Sequence, residues 1–189
     1  MKKILVLLVC ASFAPFCVYG LPQKFSAIEI PMTAVCGAKN SQEECRASEL
    51  DGAGLLQGVP YSYHEDTYLL GGFSVFSFDA EVGKKREREN SKKSAVYGLL
   101  VEAGAALPLG TIKRGYPFYV ILQGLLGKHI LRGEDDINVA YLAYGGKLGG
   151  MFVVDRWHFL FTARFIESQS VSSAPNRLAI GALGVGYHF

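Results

Sequence analysis

Leu178 to Phe189, LAIGALGVGYHF, is the stretch whose reading decides the fold. Counting back from Phe189, every second residue (Tyr187, Val185, Leu183) is large and apolar. The residues between them (His188, Gly186, Gly184, Ala182) are small or polar. Alternation with a period of two marks a β-strand with two unlike faces. Phe189, with nothing after it, is expected to close that strand.

The opposite end of the sequence points to export. Lys2 and Lys3 precede an almost wholly apolar run, Ile4 to Phe16, and Val18-Tyr19-Gly20 supplies the cleavage region. That layout predicts a secretory signal peptide over residues 1–20, because the apolar run is shorter than a membrane span needs. Residues 21–189 then form one domain of a length that suits a single core. Removing the leader takes two lysines from the 19 basic residues, leaving 17 against 17 acidic ones. A formally neutral domain gives no reason to expect a nucleic-acid partner. No run of about 18 apolar residues follows Gly20, so a transmembrane helix is excluded and insertion into lipid would require a closed β-barrel.

Eight strands are predicted after the leader. They run from about Ser26 to Val35, Gly54 to His64, Tyr68 to Ala80, Val96 to Leu107, Tyr116 to Gly127, Asn138 to Val153 and Trp157 to Glu167, with the closing strand last. The seventh alternates Trp157, Phe159, Phe161 and Phe165 against His158, Leu160, Thr162 and Arg164. On the sixth, Ala140, Leu142, Tyr144 and Leu148 share one side. Pro31, Pro60 and Pro117 fall inside these segments and require bulges or strand ends there. The predicted connections alternate long and short, with about 18 residues after the first strand and only Glu65-Asp66-Thr67 after the second. A transmembrane barrel has short periplasmic turns and longer external loops, with both termini in the periplasm. The expected fold is therefore all-β: an eight-stranded antiparallel up-and-down transmembrane β-barrel.

The closing strand resembles the C-terminal signature of Gram-negative outer-membrane β-barrels, in which an alternating apolar strand ends on Phe. Leu183, Val185, Tyr187 and Phe189 carry that resemblance and stand as the assembly signal. By architecture the domain resembles the small OmpA-like and OmpX-like barrels. The resemblance implies residence in the bacterial outer membrane and recognition by the outer-membrane assembly machinery. It also implies a role in envelope integrity, surface adhesion or host interaction rather than turnover, with loops that meet lipopolysaccharide, a host surface or an envelope protein.

Taking the outward face from Phe189, the inward face includes Glu29, Glu102, Lys147 and Arg164, with Gln123 beside them. Two acids and two bases in a dry interior are expected to pair, since an unpaired buried charge costs several kcal/mol. An eight-stranded barrel is just wide enough to be filled by its own side chains. A plugged polar core is the first reading, and a narrow ion path or proton-linked gate is the other. His64, His158 and His188 share the inward parity near the periplasmic ends. They form either a rim cluster able to bind Zn²⁺ or titrate near neutral pH, or wetted polar caps.

Cys36 and Cys45 enclose a short polar stretch, CGAKNSQEEC. In an exported protein these two predict a disulfide stapling a loop, worth ~2–3 kcal/mol at most. The stretch from Glu81 to Ser94, EVGKKRERENSKKS, carries Lys84, Lys85, Arg86, Arg88, Lys92 and Lys93. It reads as a solvated external loop, or as a basic one that meets lipopolysaccharide phosphates or an acidic host polymer.

No nucleophile elbow, phosphate loop or HExxH is present, and no cofactor is implied. Some outer-membrane barrels modify lipid A, and the deacylases among them place a His and a Ser two residues apart near the last strand. Here Ser168-Gln169-Ser170-Val171-Ser172-Ser173 has no His in step. A second alternative is a secreted lipocalin-like barrel, with its apolar face inward around a ligand. The aromatics of strands three, five, seven and eight argue instead for girdles at two membrane interfaces.

Overall fold

The computed structural model describes residues 24–38, 43–61, 67–84, 92–112, 115–132, 138–169 and 175–189. The signal peptide predicted over residues 1–20 lies outside them, as do His64, Lys85, Arg86 and Arg88.

Eight antiparallel strands close into a barrel in chain order. They are β1 (Phe25–Ala38), β2 (Glu43–Pro60), β3 (Tyr68–Lys84), β4 (Lys92–Ile112), β5 (Tyr116–Arg132), β6 (Asn138–Val154), β7 (Trp157–Ser168) and β8 (Pro175–His188). Closure runs through β1 and β8, from Phe25 opposite His188 to Ala38 opposite Pro175. Beyond the ladder, the Phe189 amide donates to the Lys24 carbonyl at 2.9 Å.

The period-two pattern turns large apolar residues outward and leaves them exposed. Leu69, Val101, Leu126, Leu148, Phe161 and Leu183 are all of this kind. A contiguous apolar exterior of this extent is unfavourable in water and natural in lipid, where a closed ladder satisfies every backbone group. Among the described residues no helix is long and apolar enough to cross a membrane. The apolar outer wall of the strands is the surface that suits lipid. The lipocalin-like alternative needs a polar exterior, and the exposed apolar wall does not accommodate it.

The strands are longer than the sequence pattern indicated. β2 begins at Glu43 rather than near Gly54, so Cys36 and Cys45 sit in β1 and β2 and not in a loop of about 18 residues. Residues 39–42 now separate the first two strands, fewer than the 61–67 connection at the other end, so the long–short alternation fails there. β3 runs on to Lys84 and β4 starts at Lys92, which makes Lys84, Lys92 and Lys93 strand-end residues rather than loop residues. β4 likewise extends to Ile112 and β5 to Arg132. The physical reason is that ladder hydrogen bonds continue past the apolar belt. On β2, outward Arg46 and Ser48 are exposed to water while Ala47 between them is half-buried.

The prolines fall where a missing N–H is tolerated. Pro31 borders a register shift in β1, Pro60 ends β2 and Pro117 is the second residue of β5. Val154 pairs with Trp157 across the tight Asp155-Arg156 turn, where Asp155 takes φ 54°. Asp is among the non-glycine residues that enter the left-handed region most readily.

The interior is filled in three layers. Nearest the termini, Phe25, Leu56, Tyr68, Tyr119, Ile121, Met151 and Leu160 form one buried apolar cluster. Toward the loop end, Cys36, Phe76, Phe78, Leu100, Leu131, Ile166 and Ile180 form another. Tyr68, Phe76, Phe78 and Tyr119 therefore pack inside and belong to no interfacial girdle. The outward aromatics of the terminal end do form a band, with Trp157 edge-on to Tyr187 at 5.1 Å and Phe152 stacked on Phe159 at 5.0 Å.

Candidate functional site: a buried ionic quartet

Between the two apolar layers lies the charged one. β1 contributes Glu29, β4 Glu102, β6 Lys147 and β7 Arg164, and all four are at most 3% exposed. Lys147 and Arg164 are directly opposite one another across β6 and β7. Like charges in that position repel. The two carboxylates resolve the conflict, because each of them bonds both cations.

Lys147 Nζ donates to Glu29 Oε2 at 2.6 Å and to Glu102 Oε2 at 2.7 Å. Arg164 donates through Nη2 to Glu29 Oε2 at 2.5 Å and through Nε to Glu102 Oε1 at 2.8 Å. Two hydroxyls complete the acceptors. Thr162 Oγ1 donates to Glu29 Oε1 and Ser74 Oγ donates to Glu102 Oε1, both at 2.8 Å. The quartet is formally neutral, and its hydrogen-bonded pairs lie 45 to 135 residues apart along the chain. Gly54 makes room for it, since a Cβ there would come 3.0 Å from Arg164 Nη2 and 3.5 Å from Glu29 Oε2.

Period-two parity identified the four ionic residues but not their hydroxyl partners. Ser74 and Thr162 share the inward parity of their strands, and that was the only signal available for them. Gln123 is buried opposite Lys147, and its side-chain amide makes no hydrogen bond among the described residues. His129, a histidine the pattern did not single out, is buried in the upper part of the barrel with its ring edge-on to Phe76 at 5.5 Å.

Of the rim histidines, the structure brings His158 and His188 together with ring centroids 5.4 Å apart. His158 is fully buried and stacked on Phe25 at 4.3 Å, so it packs in the lower apolar layer rather than lying wetted at a rim. Among the described residues no group of three or more His, Cys, Asp or Glu is placed to hold a metal ion. In the neighbouring turn, a hydrogen bond with Tyr187 raises the pKa of the exposed Arg156 guanidinium above its ordinary value.

Cys36 and Cys45 are joined by a disulfide with Cα atoms 5.4 Å apart. Leu183, Val185, Tyr187 and Phe189 all lie on the outward face of the closing segment. Lys84, Lys92 and Lys93 cap β3 and β4 at the loop end, well away from the quartet. Ser168 is buried at the end of β7.

Comparison by sequence, with family models and with characterised proteins, returns no match. Comparison of folds does. The chain is similar to Neisserial surface protein A, with a TM-score of 0.51, 13% identity, and coverage of 88% of this chain and 97% of that one. It is similar to Ail, the attachment invasion locus protein of Yersinia pestis, with a TM-score of 0.54, 13% identity and the same coverage. At this level of identity the likeness concerns the fold, which is the small eight-stranded barrel of bacterial outer membranes.

Proposed function

We propose that this protein is a structural and interaction barrel of the bacterial outer membrane, contributing to envelope integrity or surface adhesion through its external loops. The observation that carries the reading is the filled interior. A neutral ionic quartet, closed on itself and sandwiched between two apolar layers, occupies the barrel where a transport path or substrate site would otherwise lie. The apolar exterior suits lipid. With its inside occupied, the barrel has its ends and loops left for contact with other molecules. Lipopolysaccharide, a host surface and an envelope protein are the partners this reading offers. The closing strand with Leu183, Val185, Tyr187 and Phe189 would be read by the assembly machinery.

The test has two parts. Envelope material run unboiled and boiled should show a mobility shift, because a closed ladder resists detergent until heated. Purified barrel in a planar bilayer should then give no steady conductance. Sustained ohmic channels would overturn the plugged role, and the absence of any shift would overturn the membrane barrel itself.

A further inference from the structure

One seam in the wall differs from the other seven. β1 and β2 are laddered only from Phe25–Gly58 to Glu29–Gly54. Among the described residues no ladder pair joins residues 30–38 of β1 to residues 43–53 of β2, although both segments are strand. Each is held on its far side, β1 by β8 and β2 by β3, up to the loop end.

Both strands carry irregularities at this level. Met32 of β1 is an extra residue between the pairs Pro31–Ala182 and Thr33–Gly181, and Pro31 has no N–H to donate. In β2, Glu49 and Leu50 both face the single Phe78, with Glu49 at φ 52°. A straight continuation of the ladder from Glu29–Gly54 would set Cys36 opposite Ala47. The disulfide joins it instead to Cys45, two residues further along. The strands are thus pinned at both ends of a stretch in which their backbones are out of step.

We propose that this seam is the movable element of the barrel wall, hinged at Glu29–Gly54 and latched by the Cys36–Cys45 disulfide. Elsewhere, opening two strands breaks a full ladder of hydrogen bonds. Here no ladder pair has to break, and Ala34, Ala47 and Leu50 give up their packing against the upper apolar cluster. The latch limits the opening to residues 30–35 and 46–53. Without it the two strands can part as far as the loop end, down to the level of Glu29 in the ionic quartet. The disulfide therefore controls lateral access from outside the barrel to its interior, a role distinct from shortening a loop.

The experiment is residue-resolved amide hydrogen exchange on the folded protein in lipid nanodiscs, with the disulfide intact and after reduction in place by a dithiol. The dithiol delivers two electrons and two protons to the cystine sulfurs and itself closes to a cyclic disulfide. With the disulfide intact, the seam-facing amides within residues 30–35 and 46–53 should exchange about ten-fold faster than those of β4 and β5 at the same depth. Reduction should raise the rate of the seam amides about ten-fold more and leave β4 and β5 unchanged. The double variant Cys36→Ser/Cys45→Ser should reproduce the reduced pattern, and the reduced native chain decides the matter if that variant does not fold. Uniform protection along β1 and β2 would overturn the proposal. So would acceleration spread evenly around the barrel, which would mark the disulfide as a global stabiliser only.

Discussion

The middle of the barrel and its two ends are filled by opposite chemistry. The apolar layers are assembled from side chains that each touch several neighbours, and no single contact decides whether they form. Such packing relaxes around a change and loses stability by degrees. In the ionic layer every group depends on the others, since Lys147 and Arg164 lie side by side and are compatible only through Glu29 and Glu102. Replacing all four by apolar groups of similar volume can be neutral, whereas removing one leaves a buried charge without its partner. The layers thus differ in how they fail.

Arg164→Leu tests that difference most severely, because both carboxylates lose a partner. It should lower unfolding free energy by ~3–5 kcal/mol in denaturant titrations of the vesicle-inserted barrel. A loss below about 1 kcal/mol would show that the charged layer yields as gradually as its neighbours. Gly98→Ala probes the upper apolar layer by overpacking. A Cβ there overlaps the Phe76 ring, which has to shift, for a loss of ~1–3 kcal/mol read from the same titration. The smallest effect is expected outside both layers. Arg177 is 75% exposed and stands 3.6 Å from Glu167. Arg177→Ala should therefore change the unfolding midpoint by less than ~0.5 kcal/mol-equivalent, and a larger loss would mean that surface ion pairs matter here as much as buried ones.

Much of this layout was legible in the sequence, and its errors have one cause. Parity placed Glu29, Glu102, Lys147 and Arg164 on the inward face because side chains alternate strictly along a regular strand. That rule does not survive a bulge, which shifts the register by one and exchanges the two faces. On β2 the inward positions are even at Gly54 and Leu56 but odd at Cys45 and Ala47, beyond Glu49 and Leu50. A reading of period two therefore ends near Gly54 and takes the remainder for loop. On β1 the slip at Met32 moves the buried position from Glu29 to Cys36. The aromatics misled for a different reason. Phe and Tyr suit a membrane interface and a packed core equally well, and only the face they occupy separates Phe76 from Phe159.

By itself the sequence determined the number of strands, the two faces of their regular stretches and the charged residues turned inward, because these follow from local alternation and from the cost of exposing backbone to lipid. It did not determine which charges meet. Glu29 and Arg164 are 135 residues apart, and their contact depends on the stagger of strands that close on one another around the barrel. The tertiary structure alone decided that stagger. It decided in the same way that one seam of eight stands unladdered above Glu29–Gly54, because register between strands is a property of closure and not of any strand taken singly.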